Sequence, residues 1–260
     1  MEKIPAVGRY FFAVALAASG LQQLLLMDFV RLVPRLPAWV PWPALWAALV
    51  GAVLLAAGAA IAAGWRLRLA AMTVGALLLG SFFLQRIPEI VANPTAGYVW
   101  TNPCKVLALW GGTLLLAGAP SGVLRGGFPS VPASGGPLLS PGPVCLAIFL
   151  LVGGVQHFVY AEFVQTLVPA WIPPSTRFWA GFTGTALIAG GTGILFRPTF
   201  RWSALLSGLM IFSWVLLVHV PRAWSRPHEA GETSAIFEAL ALSGVACLVV
   251  GGPGRRCDTK

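Results

Sequence analysis

Long apolar runs alternate with short polar segments along the whole chain of 260 residues. A bilayer core about 30 Å thick is crossed by roughly 20 apolar residues in a helix, and eight runs meet or approach that length. Backbone amides inside a bilayer must be bonded internally, and the runs lack the alternation of barrel strands. The pattern predicts an all-α, polytopic membrane protein with eight transmembrane helices, near residues 10–30, 44–63, 69–84, 106–118, 144–163, 178–196, 202–220 and 234–250.

The first apolar run also fits a secretory signal peptide, because Lys3 and Arg9 precede it and small residues follow near Ser19. Its counterpart in the second half of the chain lies where no signal peptidase would remove it. We therefore expect the first run to be a permanent span.

Two stretches of the chain repeat each other. Residues 20–41 read GLQQLLLMDFVRLVPRLPAWVP and residues 154–173 read GVQHFVYAEFVQTLVPAWIP, and they align after a two-residue gap. The register continues from residues 45–61 to residues 178–194. Each copy holds an even number of spans, so both copies point the same way across the bilayer. The sequence therefore predicts two tandem four-helix bundles in parallel duplication.

The boundary between the copies is a segment rich in proline and glycine. Residues 120–143 resist continuous helix and are typical of a linker. On either side of it the register pairs Pro88 with Pro221. We predict a first unit at residues 1–119, a cytoplasmic linker at 120–143 and a second unit at 144–260.

Composition and charge agree with a membrane protein. Only 10% of the residues are charged and 57% are hydrophobic, which leaves too few charges to cover a water-soluble protein of this size. The net charge of +9 reflects the orientation of the protein in the membrane rather than nucleic-acid binding. Ten basic and two acidic residues fall on the side of the bilayer that holds the termini, whereas seven basic and six acidic residues fall on the opposite side. The positive-inside rule then predicts a multi-pass protein of the cell (inner or plasma) membrane with cytoplasmic termini, in contact with lipid and not with nucleic acid.

Titratable side chains inside a bilayer are costly and therefore mark candidate sites. In the second copy these are His157, Glu162, His219 and Glu238, which we expect at similar depth near the outer surface, gathered in one cluster. A histidine beside a carboxylate relays protons or hydrogen-bonds a carbonyl such as that of a quinone. Against this, His157 and Glu162 are about 140° apart around a helix, and each of the four also fits a packing or interfacial role.

The first copy has different polar residues at the corresponding positions. We predict that Asp28 forms a structural ion pair with Arg86 or Lys105 at the mouth of the bundle. Gln156 matches Gln22, and both are expected to form hydrogen bonds between helices.

No metal site is expected from the sequence. It has no HExxH pattern and no short CxxC spacing among its four cysteines, Cys104, Cys145, Cys247 and Cys257.

The second copy resembles the DoxX family of four-helix membrane proteins. Members often show glycine, two residues, His-Phe, then an acidic residue before phenylalanine and a Val-Pro with another proline after it. The matching residues here are Gly154, His157, Phe158, Glu162, Phe163, Val168, Pro169 and Pro173. In the first copy, Asn102 and Lys105 look like the Asn and Lys that commonly open the fourth helix.

The resemblance implies a role near membrane redox chemistry. The family includes a subunit of a thiosulfate to quinone oxidoreductase, so we expect contact with quinone or another lipophilic molecule and a partner oxidoreductase subunit. Two alternatives remain open: a small-solute or proton-coupled transporter, and a non-catalytic membrane anchor or assembly partner.

Overall fold

The computed structural model describes residues 1, 3–33, 36–37, 39–119 and 141–251, and within these ranges all regular structure is helical. The predicted linker lies outside the described residues except at its last three positions, where a helix has already begun. The helices are α1 (Ile4–Leu26), α2 (Pro43–Ala63), α3 (Leu67–Ala92), α4 (Tyr98–Ala117), α5 (Pro141–Val159), α6 (Ala161–Leu167), α7 (Thr176–Leu195), α8 (Phe200–Ser225) and α9 (Ala230–Val250).

Seven of these helices are long and apolar enough to cross a membrane, namely all except α4 and α6. Many large apolar side chains on them are exposed, including Leu25, Val91 and Leu206. A surface so rich in exposed apolar groups is suited to lipid rather than to water. The all-α prediction is confirmed, and the long helices are those of a multi-pass membrane protein.

Two of the long helices change their winding near one end. α3 is π-helical at Phe82–Arg86 and α8 at Val215–His219, and these segments are 133 positions apart in the sequence. Pro88 and Pro221 lie two residues after the ends of these segments. A proline cannot donate to the carbonyl one turn earlier and its ring crowds that carbonyl, so a wider turn relieves the conflict.

The helices pack into one ring rather than into two separate bundles. α1 packs against α2 and α9, while α4 packs against α3 and α5. α7 lies between α5 and α8, and α8 packs against α9. The helices α4 and α9 also contact each other across the middle, and the buried side chains of both halves form one core cluster. α9 is the most enclosed candidate span, with 78% of its apolar window buried.

Glycines allow the two halves to approach closely. A Cβ placed on Gly8 of α1 would lie 2.6 Å from the carbonyl oxygen of Gly244 in α9. A Cβ on Gly142 of α5 would lie 2.9 Å from the carbonyl oxygen of Gly111 in α4. Small residues at helix crossings are typical of membrane bundles, and here they bring α9 onto α1 and α4 onto α5.

The same device operates within each half. A Cβ on Gly51 would lie 2.9 Å from the Gly20 carbonyl oxygen, and one on Gly154 would lie 2.8 Å from the Gly184 carbonyl oxygen. Close packing of α1 on α2 and of α5 on α7 is therefore present.

The two ends of the described chain lie at the same end of the bundle. A Cβ on Gly251, just after α9, would approach Pro5 of α1 to within 2.6 Å. At the opposite end, α5 stops at Val159 rather than continuing to residue 163 as predicted. Tyr160 leaves the helical conformation with φ −113° and ψ 40°, and a separate short helix, α6, begins after it.

Candidate functional site

An ion pair joins α4 and α9, in the part of the bundle away from the described chain ends. Lys105 Nζ of α4 lies 2.9 Å from Glu238 Oε2 of α9. Their side chains are only 20% and 12% exposed, so water does little to screen the pair. A charge inserted in a bilayer needs such a partner. The pair is therefore a fixed polar centre between the halves.

A second group of charges surrounds the start of α9. Arg222 donates twice to Glu232, with Nη2 to Oε1 at 2.6 Å and Nε to Oε2 at 3.0 Å. Arg226 lies 3.7 Å from the same carboxylate and 3.5 Å from that of Glu229. Two-point contacts between a guanidinium and a carboxylate are among the strongest hydrogen bonds in proteins. They tie the end of α8 to the beginning of α9.

His219 lies between these two groups of charges. It is the last residue of the π-helical turn in α8, and its Nδ1 atom is buried without a hydrogen-bond partner among the described residues. Four charged side chains face it closely enough to act on it electrostatically: Lys105, Glu238, Arg31 and Arg222. Three of them are cations and one, Glu238, is an anion. A neutral imidazole offers one donor and one acceptor nitrogen.

His157 occupies different surroundings. Its Nδ1 lies 2.7 Å from the carbonyl oxygen of Gly153, one turn earlier in α5. Because a carbonyl can only accept, Nδ1 carries the hydrogen. The ring also stacks on Trp214 of α8, with centroids 6.2 Å apart and planes inclined by 23°. These contacts hold the ring between α5 and α8.

Glu162 is exposed in the short helix α6, after the break at Tyr160. Within the described ranges, no hydrogen bond or ion pair connects it to His157, His219 or Glu238. The structure thus places His219 near Glu238, whereas Glu162 lies on α6, outside the long helix in which the sequence predicts it.

The structure shows partners for the three charged residues named in the first copy. Arg86 Nη1 donates to Glu89 Oε2 at 2.7 Å, and Lys105 pairs with Glu238 of the other half. Asp28 Oδ1 accepts a hydrogen bond from the amide of Phe29 at 2.8 Å. The ion pairs that the structure shows for the two cations therefore use carboxylates other than that of Asp28.

Gln22 of α1 binds the first turn of α9. Its Nε2 donates to the carbonyl oxygen of Ala230 at 2.9 Å, and its Oε1 lies 3.0 Å from the hydroxyl of Ser234. A carbonyl oxygen has two lone pairs, so that of Ala230 can accept this bond in addition to one within its helix. The predicted interhelical hydrogen bond of Gln22 is confirmed, with a partner in the opposite half.

Gln156 of α5 binds the first turn of α4 in the same way. Its Nε2 donates to the carbonyl oxygen of Gly97 at 2.8 Å, and its Oε1 accepts from the hydroxyl of Thr101. Gly97 precedes Ala230 by 133 positions, and Thr101 precedes Ser234 by the same number. Both predicted glutamine contacts thus involve one carbonyl oxygen and one hydroxyl, in the first turns of α9 and α4.

The remaining metal and thiol chemistry is limited. Within the described residues, no three side chains of His, Cys, Asp or Glu are grouped so as to hold a metal ion. Cys104, Cys145 and Cys247 are buried free thiols, and Cys257 lies outside the described residues. The polar centre at Lys105, Glu238 and His219 is therefore the best candidate site: it offers one imidazole nitrogen and a neighbouring proton donor and acceptor.

Comparison with known proteins gives one partial match. A family model described as a domain of unknown function (DUF8561) matches residues 146–250, a region that falls within the predicted second unit and covers less than half of the chain. No curated protein and no solved structure matches the chain. The second half, which contains His219 and Glu238, is thus similar to that domain family.

Proposed function

We propose that this chain is a DoxX-like membrane protein of eight spans that binds a quinone or another lipophilic carbonyl compound at His219. The observation that carries the proposal is the buried Nδ1 of His219, which has no hydrogen-bond partner among the described residues and lies near the Lys105–Glu238 pair. A neutral imidazole that donates to a carbonyl oxygen would satisfy this atom.

The eighth span in this proposal is α4. It has 20 residues, but polar residues in its first half, such as Asn102 and Lys105, lower its hydropathy. It runs antiparallel to α5: Thr101 near its start meets Gln156, and Gly111 meets Gly142 near the start of α5. Because α5 is itself long enough to span, a helix alongside it covers the same depth. An even number of spans also agrees with chain ends at one end of the bundle.

The proposed duplication rests on a constant offset between the halves. Lys105 and Glu238 are 133 positions apart, as are the two π-helical turns and the residues that the two glutamines contact. Independent features that share one offset are expected of a repeated unit and not of unrelated helices. The positive-inside rule then places the described chain ends in the cytoplasm and His219 toward the outer leaflet.

The chemistry of the proposed site follows from its neighbours. His219 would donate a hydrogen bond to the ligand carbonyl, while the Lys105–Glu238 pair lies within reach as a proton source and acceptor. A lipid-soluble ligand would arrive from the bilayer between the apolar helix faces. Electrons would come from a partner oxidoreductase subunit, as the DoxX-like resemblance implies.

Photoaffinity labelling tests this proposal. The full chain in lipid nanodiscs would be labelled with an azido-quinone that carries a decyl tail. We expect His219→Phe, which keeps an aromatic ring but removes its nitrogens, to weaken labelling about tenfold, the value of one hydrogen bond of about 1.4 kcal/mol. His157→Phe, which can still stack on Trp214, is the matched control and should label like the wild type. Equal labelling of the two variants would refute the site.

A further inference from the structure

Three polar side chains in the first half are deeply buried and incompletely bonded. Gln23 of α1 is fully buried, and Gln85 and Arg86 in the π-helical turn of α3 are 7% and 8% exposed. Among the described residues, Gln23 Oε1, Gln85 Oε1 and Arg86 Nε have no hydrogen-bond partner. Buried polar groups are nearly always bonded, so these three atoms, one on α1 and two in α3, are candidates for contacts to another molecule.

The orientation of the Gln23 amide is fixed by a neighbouring helix. Its Nε2 donates to the carbonyl oxygen of Ala47 in α2 at 2.8 Å. A carbonyl cannot donate, so a flipped amide would lose this bond. The unpartnered atom of Gln23 is therefore an acceptor, and it requires a donor from its ligand.

The proposed repeat indicates what Gln23 faces. In the second half, His157 stacks on Trp214, and in the proposed register these two positions correspond to Gln23 and Ser81. α1 at Gln23 should therefore face α3 at Ser81, about one turn before Gln85 and Arg86. Where the second half has an indole, the first has a buried serine whose hydroxyl donates to Leu78 within its own helix. A serine fills far less volume than a tryptophan, so in the proposed register the first half has the smaller side chain at this position.

The charge of the group narrows the class of ligand. Arg86 Nη1 already pairs with Glu89 at 2.7 Å, so its charge is balanced and its Nε remains as a hydrogen-bond donor. The two glutamine oxygens need donors. A hydroxyl can donate to an amide oxygen and accept from Nε at the same time, whereas a carboxylate has no hydrogen to donate and would carry an unbalanced charge into the bundle.

We infer that Gln23, Gln85 and Arg86 form a second binding site, distinct from that at His219, for a neutral amphiphile with a hydroxyl head group. The hydroxyl occupies the space between α1 and the π-helical turn of α3, and the apolar tail extends toward the bilayer. The placement opposite Ser81 rests on the proposed duplication, while the burial and bonding of the three residues do not.

Binding of matched twelve-carbon probes tests the inference. Radiolabelled dodecanol and dodecanoate would be titrated against the full chain in nanodiscs. We expect saturable binding of dodecanol, about tenfold tighter than that of dodecanoate, and a loss of about tenfold for Gln23→Met. Because Gln23→Met also removes the bond to Ala47, Gln85→Met provides a second variant: the Gln85 side chain forms no hydrogen bond within the described residues.

The outcomes separate this site from the one at His219. His219→Phe should leave dodecanol binding unchanged, whatever its effect on quinone labelling. Absence of saturable dodecanol binding would overturn the inference. A Gln85→Met variant with wild-type affinity for dodecanol and a higher melting temperature would also overturn the inference. That result would show that these three residues bind only water.

Discussion

Lys105 and Glu238 meet at 2.9 Å although 133 residues separate them in the chain. In the proposed register they are the same position of two copies, with opposite charges. Equivalent residues of a twofold pair can touch only beside the axis that relates them. In that register the ion pair lies beside the axis that would relate the two halves, and it links α4 and α9, which contact each other across the middle of the ring.

Removing one member of this pair should destabilise the protein strongly. Lys105→Met leaves the Glu238 carboxylate largely buried without its partner, and we expect a loss of about 3 kcal/mol in the free energy of unfolding. The double variant Lys105→Met with Glu238→Met should recover most of that loss. Unfolding in mixed micelles, titrated with SDS, would measure both.

An exposed ion pair supplies the comparison. Arg226 and Glu229 are 53% and 58% exposed, and water screens such pairs, so Glu229→Gln should change stability by less than about 1 kcal/mol. Comparable losses in Glu229→Gln and Lys105→Met would contradict a special role for the central pair.

The glycine crossing between the halves should not tolerate a methyl group. Gly8→Ala places a Cβ against the backbone of Gly244 and Leu248, which cannot move aside, and overpacking of this kind costs about 1–3 kcal/mol. Gly181→Ala is the control, because a Cβ there meets nothing within 4 Å, and it should stabilise the helix by about 0.5–1 kcal/mol. Melting temperatures of the two variants should therefore move in opposite directions.

The two partly buried glutamines Gln22 and Gln156 should contribute similarly to stability. Gln22→Leu and Gln156→Leu each remove two hydrogen bonds to a fourth helix, and we expect each to lower the free energy of unfolding by about 1–3 kcal/mol. Gln165 bonds only within its own short helix, so Gln165→Leu should stay within about 0.5 kcal/mol of the wild type. A stabilised Gln22→Leu or Gln156→Leu variant would show that these bonds are dispensable.

Reporter fusions test the proposed eight spans. Alkaline phosphatase fused after Ser175, between α6 and α7, should be active because that loop is expected outside. The same enzyme fused after Gly251 should be inactive. Phosphatase activity at Gly251 would require an odd number of crossings and would remove α4 from the membrane.

The sequence predicted the helices and the glutamine contacts because both depend on local information. Apolar length identifies spans, and a polar residue that recurs at the same place in two copies, as Gln22 and Gln156 do, identifies a repeated contact. The break at Tyr160 was missed, because the residues around it are apolar enough to continue a span. With that break, Glu162 leaves the predicted cluster.

The pairing of Lys105 with Glu238 was not predicted, because the predicted ion pair lay within one copy. The structure places α4 against α5 and α9 against α1. Nothing in one copy specifies that arrangement. In the proposed register, positions 105 and 238 correspond and carry opposite charges, and that difference was the available signal.

Pro5 and Gly251 lie close together, so the two ends of the described chain are neighbours in space. A short peptide joining these two ends, with a new opening between Ala119 and Pro141, would yield a circular permutant in which the second unit is synthesised first. Because every helix would keep its neighbours, such a permutant should insert and fold, and the order of synthesis of the two units would become an experimental variable.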